Sequence, residues 1–340
     1  MVTVTSFVLA LCAASCSTHD GAIKQEGTSV EAAKSIHSPS QSESGPGGKV
    51  YSHEGVEVTK HGTASRACYI FTPKDPVPES APVVVFLHGW SAIDPGPYQA
   101  WIDHIVRRGN IVIYPVYQNL IFNLGITVAK TAMRSTKSTL EIIEEGPVKP
   151  ELNNFAVVGH SMGGAVALNM AVQGKDYGLP EPKALMIMQP GALRWYAMAE
   201  PEELSPDTRL IVLVGDRDKI AGDRMAKEIF GRVGQIPDEN KAYVILQSDD
   251  HGNPPLIADH FSVCAPNLPP GKTHQRFLFS YYFTVDALDY YGYWKLFDAL
   301  TDCAFRGENC AYSTTGASEH HAMGKWSDGT PVKRILHRQP

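Results

Sequence analysis

Short apolar runs alternate with longer amphipathic segments along most of the chain. Uncharged runs such as Val83–Leu87, Ile111–Tyr114 and Ala184–Met188 have the length and character of buried strands. Between such runs, segments such as Tyr98–Arg108 carry apolar residues at helical spacing. Strands that alternate with helices predict an α/β fold, with a mainly parallel central sheet and helices on both faces.

The same pattern predicts the other elements. A helix over residues 126–145 ends at Gly146-Pro147, and a last helix is predicted over residues 277–300. Further buried strands are predicted at 155–158, 210–214 and 242–247, and antiparallel edge strands at 50–60 and 66–71.

One serine stands at a predicted strand-to-helix corner. The segment Gly159-His160-Ser161-Met162-Gly163 follows the apolar strand at 155–158 and precedes a helix rich in small residues. Glycines two positions on either side of Ser161 permit a tight, strained turn that lifts the hydroxyl above the sheet edge. A nucleophilic serine is the interpretation that this context favours over an ordinary glycine-rich turn.

Such a serine needs a base, and the base needs an orienting carboxylate. The strand at 210–214 is followed by Asp216 and Asp218, and the strand at 242–247 by His251. We predict His251 as the base because it comes directly after a strand, with His260 as its rival. Either acid could serve, since both follow the same strand end.

The order of serine, acid and histidine resembles the α/β-hydrolase family over roughly residues 50 to 300. The family's Gly-x-x-Asp pattern implies that Asp218 is the triad acid. The segment His88-Gly89-Trp90 resembles the family's oxyanion loop, which implies the backbone amides of Trp90 and Met162 as oxyanion donors. We expect His88 and His160 to act as scaffold residues.

The resemblance implies a serine carboxylic-ester hydrolase that works through an acyl-enzyme, without a cofactor. A dehalogenase of this fold would carry aspartate at position 161 and a dienelactone hydrolase cysteine. A thioesterase or a peptidase of the same fold remains an alternative, and so does a non-catalytic binding protein on this scaffold.

Residues 189–209 leave room for little or no cap over the cleft, which favours a small-molecule or polymeric ester as substrate. Tyr98, Trp195 and Tyr196 are candidates for binding it, although packing in the core or in loops would explain these aromatic residues equally well.

Composition describes an ordinary globular chain. Of 340 residues, 43% are hydrophobic and 19% charged. The formal charge of −6 gives no basic stripe, so we expect no nucleic-acid partner. We expect one catalytic domain over residues 49–340, with a C-terminal extension, acting as a monomer.

The N-terminal segment has the character of an export signal. Residues 1–16 contain a short apolar run and end in small residues before Cys16, which resembles a lipidation site and so a membrane tether. We expect a secreted or lipid-anchored protein of bacterial type, with residues 17–48 as a disordered tether.

An exported chain favours disulfides, and we predict a Cys303–Cys310 bridge across a short loop. Cys68 and Cys264 are left to pair with each other or to stay as buried thiols. The tail pair His320-His321 could bind a metal, but a solvated tail explains it better, so we expect no metal site.

Overall fold

A computed structural model describes residues 35–64, 67–118, 127–192, 196–267, 284–313 and 317–338. Its centre is a nine-stranded sheet in the order β1-β2-β4-β3-β5-β6-β7-β8-β9. Strands β3 to β8 pair in parallel, whereas β1, β2 and β9 are antiparallel to their neighbours. The strands are β1 Gly55–His61, β2 Cys68–Lys74, β3 Ser80–Leu87, β4 Ile111–Pro115, β5 Lys149–His160, β6 Ala184–Met188, β7 Arg209–Gly215, β8 Lys241–Leu246 and β9 Leu336–Arg338.

Helices lie in most of the connections between strands. They are α1 Gln99–Arg107, α2 Val128–Glu144, α3 Met162–Gln173, α4 Arg224–Gly231, α5 Lys295–Arg306, α6 Cys310–Ser313 and α7 Ser318–His321, and a π-helical segment, Asp289–Trp294, leads into α5. Between β6 and β7 the described residues form one short 3₁₀ turn, Pro201–Glu203. The predicted α/β-hydrolase fold is confirmed, including the two antiparallel strands at the N-terminal edge.

An apolar layer packs against each face of the sheet. Strands β3 to β7 are buried on both faces because alternate residues point into opposite layers. Val83 and Val85 pack with helices α2 and α3, whereas Val84 and Phe86 pack with α1 and α5. The packed sheet therefore fixes the carboxyl ends of the parallel strands, and the loops that follow these strands start from fixed positions.

The N-terminal boundary differs from the expected one. Residues 35–48 were expected to belong to a disordered tether, but they lie against the domain. Gly47 is buried, and its amide donates a 2.7 Å hydrogen bond to Asp298 Oδ2. The predicted signal at 1–16, Cys16 and the rest of the tether lie outside the described residues, so export and lipidation stay predictions. No helix in the described part of the chain is long and apolar enough to span a membrane.

The predicted Cys303–Cys310 bridge is confirmed, and the structure decides between the two alternatives for Cys68 and Cys264. Cys303 and Cys310 form a disulfide between the end of α5 and α6. Cys68 and Cys264 are both buried and unbridged. They lie in different apolar layers, Cys68 with α2 and α3 and Cys264 with α1 and α5, so the sheet separates the two thiols.

Candidate functional site

Ser161 occupies a strained corner between β5 and α3. Its φ of 56° and ψ of −121° lie in a region that side-chain-bearing residues rarely adopt. The two flanking glycines make this corner possible. A Cβ at Gly159 would overlap the carbonyl oxygen of Gly163, and a Cβ at Gly163 would overlap the carbonyl oxygen of Leu87. The packing therefore excludes side chains at both positions. Glycine at both allows the tight turn, and this turn raises the Ser161 hydroxyl above the sheet edge.

A histidine and an aspartate extend from Ser161 in a hydrogen-bonded chain. His260 Nε2 lies 2.9 Å from Ser161 Oγ, and His260 Nδ1 lies 2.8 Å from Asp218 Oδ2. The imidazole and carboxylate side chains are almost fully buried, with 6% and 0% of their surfaces exposed. One serine, one imidazole and one carboxylate thus come together at the ends of β5, β7 and β8, the geometry of a nucleophile with its base and its orienting acid.

This geometry corrects the prediction of His251 as the base. The His251 side chain is 35% exposed, and its Nε2 lies 2.8 Å from Asp328 Oδ2 in the C-terminal extension. The segment after β8 first turns back on itself, where Asp249 and Leu256 form an isolated antiparallel bridge. His251 lies within this turn, and the chain returns to the sheet edge only afterwards, at His260.

Several contacts fix the loop that carries His260. The Arg217 amide donates to the Ala258 carbonyl at 3.0 Å, and Ser248 Oγ accepts from the Ala258 amide at 2.9 Å. The side-chain amide of Gln189, after β6, donates to the Asp259 carbonyl. Because the loop is tied to the ends of β6, β7 and β8, the imidazole position is set by the sheet.

The structure separates the two candidate acids. Asp218 Oδ1 accepts hydrogen bonds from the amides of Ile220 and Ala221, at 2.9 and 3.0 Å, while Oδ2 faces His260. Burial opposes ionisation of Asp218, but the hydrogen bond and charge of His260 and the two amides outweigh it, so the pKa is lowered. Asp216 instead accepts from the amide and hydroxyl of Ser248, at 2.9 and 2.6 Å. Asp216 therefore joins the β7 and β8 loops and does not contact the imidazole.

The two amides expected to hold an oxyanion lie beside the serine. Trp90 and Met162 both line the cleft at Ser161. The neighbouring amides in the loop after β3 have acceptors, since Gly89 donates to Tyr98 Oη and Ser91 to Gln118 Oε1. Neither the Trp90 nor the Met162 amide donates to a partner within the described residues.

A buried hydrogen-bonded chain links the Trp90 loop to the histidine. The Gly89 amide donates to Tyr98 Oη at 3.1 Å, and Tyr98 Oη lies 2.8 Å from His160 Nδ1. His160 Nε2 in turn donates to the carbonyl of His260 at 2.9 Å. Burial and the neighbouring His260 lower the pKa of His160 to about 3, so its neutral ring accepts from Tyr98 and donates to His260.

His88 also serves the scaffold. Its Nδ1 donates to the Gly89 carbonyl at 2.7 Å, and its ring stacks on Tyr117 with centroids 4.1 Å apart. Burial lowers the pKa of His88 to about 4, so the ring is neutral. The Tyr117 hydroxyl donates to the His88 carbonyl, which fixes the start of the loop.

Two clefts meet at Ser161 and share Trp90 and Ile220. One, of about 380 Å³, extends past Pro190, Ala192, Arg224 and Met225. The other, of about 360 Å³, extends past Pro97, Tyr98, His260, Phe261 and Cys264. Trp90 is 56% exposed and Ile220 is 65% exposed, so both clefts have apolar walls that face solvent.

The three predicted substrate-binding aromatics differ in position. Tyr98 lines the second cleft, but its hydroxyl is engaged by Gly89 and His160. Tyr196 packs against the apolar layer of α2 and α3 and does not line either cleft. Trp195 lies outside the described residues. Trp90, Ile220 and Phe261 form apolar walls; Ile220 and Phe261 had no distinguishing sequence signal, since each is a single apolar residue in a loop.

Comparisons with known proteins find one family model and several solved structures that are similar to the chain. The chlorophyllase family model matches residues 47–199, which include the Trp90 loop and the serine corner. Among solved structures, a double mutant of the esterase rPPE is similar with 17% identity and a TM-score of 0.48, over 62% of this chain and 76% of the esterase. A single mutant of the same esterase has 18% identity and a TM-score of 0.45, over 57% and 72% of the two chains. No curated protein matches the sequence significantly.

Proposed function

We propose that the chain, whose sheet has the α/β-hydrolase topology, is a serine carboxylic-ester hydrolase. The observation that carries the proposal is the buried chain from Ser161 Oγ through the His260 ring to Asp218 at the mouth of an apolar cleft. The match to the chlorophyllase family, over residues 47–199, supports ester chemistry at Ser161.

In the first half of the reaction, Ser161 Oγ attacks the acyl carbon while His260 Nε2 takes the hydroxyl proton. Asp218 accepts a hydrogen bond from the Nδ1 proton of His260, which leaves the Nε2 lone pair facing the serine, and it stabilises the imidazolium that forms. The imidazolium then gives its proton to the leaving alkoxide. The alcohol departs and Ser161 is left as an acyl ester.

In the second half, water replaces the alcohol. His260 takes a proton from the water, the hydroxide attacks the acyl carbon, and the proton returns to Ser161 Oγ as the acid leaves. The amides of Trp90 and Met162 donate to the oxyanion of both tetrahedral intermediates. These amides are fixed by the fold before the reaction, so they need little reorganisation. Each lowers the activation barrier by on the order of 3 kcal/mol.

The two clefts beside Ser161 support a binding position for each part of the proposed substrate. An ester has two substituents, the acyl chain and the alcohol, and each cleft provides room for one of them. The exposed Trp90 and Ile220 form apolar walls on both sides, which favours an ester with apolar parts. A thioester or an amide would reach the same serine, so the thioesterase and peptidase alternatives differ from this proposal in the leaving group alone.

The proposal is tested with a short p-nitrophenyl ester and a fluorophosphonate probe. We expect wild type to hydrolyse the ester and to be labelled once per chain, and Ser161→Ala to do neither. Ser138→Ala, on the exposed face of α2, is the matched control and should behave as wild type. Equal hydrolysis by wild type and Ser161→Ala would exclude the proposed nucleophile. A folded wild type that the probe does not label would favour the binding-protein alternative.

A further inference from the structure

Three histidines from two segments of the C-terminal extension converge on one point, away from Ser161. His320 and His321 end helix α7, and His337 lies in the middle of strand β9. One ring nitrogen from each lies within 4.8 Å of the other two. The centroids of the three rings are 4.2 to 5.1 Å apart. His320 is fully buried, and the other two rings are partly exposed, so solvent reaches the cluster.

Backbone carbonyls fix the tautomers of two of these rings. His320 Nδ1 donates to the Tyr312 carbonyl, and His321 Nδ1 donates to the Ile335 carbonyl, each at 2.8 Å. In a neutral ring, a proton on Nδ1 leaves a lone pair on Nε2. Histidines that bind metals characteristically donate their second nitrogen to a carbonyl or carboxylate in this way.

His337 differs from the other two rings because no carbonyl accepts from its Nδ1 in the described residues. Its Nδ1 is buried without a hydrogen-bond partner in the described part of the chain, and its Nε2 faces the lone pair of His320 Nε2. A proton shared by His320 and His337 would satisfy that pair, but it would leave the His321 lone pair unused. A cation bound by all three rings would use every lone pair that points into the cluster.

The scaffold beneath the cluster is built from buried contacts. Lys295 Nζ, in α5, donates to the carbonyls of Glu319, His320 and Ala322, at 3.1, 2.9 and 2.6 Å. These bonds direct the ammonium toward the backbone of α7 and not toward the imidazole nitrogens. Strand β9 has three residues and pairs with β8 at the sheet edge, with His337 opposite Val244. Helix α7 and strand β9 are each too short to be stable alone.

We propose that His320, His321 and His337 form a zinc site that ties helix α7 to strand β9. Three imidazoles with a fourth position open to water or a small anion match the ligands and coordination number that Zn²⁺ takes in proteins. Zinc–nitrogen bonds of about 2.1 Å place tetrahedral ligands roughly 3.4 Å apart, so small side-chain rotations bring the cluster to that geometry. The site replaces our expectation from sequence that His320 and His321 lie in a solvated tail.

Zinc binding is measured on the full chain after chelator treatment, by calorimetric titration and by metal analysis after desalting. We expect about one zinc per chain and a higher thermal midpoint with zinc. His321→Gln and His337→Gln should each weaken binding at least about tenfold and abolish the thermal shift. His61→Gln, an exposed histidine of β1, is the matched control and should bind as wild type.

Two results would overturn the site: wild type that retains no stoichiometric zinc, or variants that bind zinc as tightly as wild type. Ester hydrolysis and the thermal midpoint without zinc show that each variant is folded. Should a variant fail to fold, cobalt(II) on wild type gives a test that needs no substitution. Visible ligand-field bands that zinc displaces are expected, and their absence would overturn the site.

Discussion

Replacing Tyr98 by phenylalanine tests the buried chain that joins the Trp90 loop to the histidine. The substitution keeps the ring in its apolar layer and removes one hydroxyl. That hydroxyl accepts from the Gly89 amide and donates to His160 Nδ1, and all three residues are buried. Burial raises the pKa of the Tyr98 hydroxyl well above its usual range, so it is protonated in wild type.

The magnitude follows from the two groups left without a partner. A buried donor or acceptor that loses its hydrogen bond costs about 1–3 kcal/mol. Tyr98→Phe should therefore lower the free energy of unfolding by about 2–6 kcal/mol. Gly89 precedes Trp90, whose amide is the proposed oxyanion donor, so the loop should also lose alignment, with kcat falling by about tenfold to a hundredfold and KM changing little.

Urea unfolding monitored by tryptophan fluorescence, together with steady-state hydrolysis, measures both effects. Tyr243→Phe is the matched control, because the Tyr243 hydroxyl is buried without a hydrogen-bond partner in the described residues. It should not lower the free energy of unfolding, because removal of a hydroxyl without a partner leaves no other buried group unpaired. If Tyr98→Phe is as stable and active as Tyr243→Phe, the linking role of this hydroxyl is refuted.

The remaining predictions concern the corner, the disulfide and acid stability. Gly163→Ala places a methyl group against the Leu87 carbonyl and should cost about 3 kcal/mol or more of unfolding free energy in urea, with loss of fluorophosphonate labelling. The double substitution Cys303→Ser with Cys310→Ser opens a short loop and should cost roughly 2.5 kcal/mol in the same assay. The pKa of Asp218 is lowered on folding, so its stabilisation is complete above the pKa of the unfolded chain and is lost as pH falls through the folded value. In acid titrations below about pH 4, wild type should lose stability more steeply than Asp218→Asn, and parallel curves would contradict this linkage.

Local signals in the sequence were sufficient to predict the strained corner at Ser161 and the sheet. The turn at Ser161 depends on glycines two positions away, so a window of five residues contains its cause. The sheet follows from apolar runs that are buried on both faces, and each predicted central strand agrees with the structure to within a few residues, apart from β5, which starts earlier at Lys149. Asp218 lies one short turn after β7, a separation that sequence can show.

The histidine could not be chosen on local grounds. Its position depends on the turn after β8, which the C-terminal extension holds: Asp249 Oδ2 accepts from Trp326 Nε1 at 3.1 Å and from the Lys333 amide at 3.0 Å. These contacts span about eighty residues of sequence, and no pattern near His251 reports them. The C-terminal histidines illustrate the same limit, because His337 meets His320 and His321 only after β9 joins the sheet edge.

The most direct test of the central claim compares two histidines. Values of kcat/KM for a short p-nitrophenyl ester are measured for wild type, Ser161→Ala, His260→Ala and His251→Ala. His260→Ala should lose activity on the order of 10⁶-fold, as Ser161→Ala does, because the two side chains act as one unit. His251→Ala should stay within a few-fold of wild type. An inactive His251→Ala beside an active His260→Ala would contradict the account.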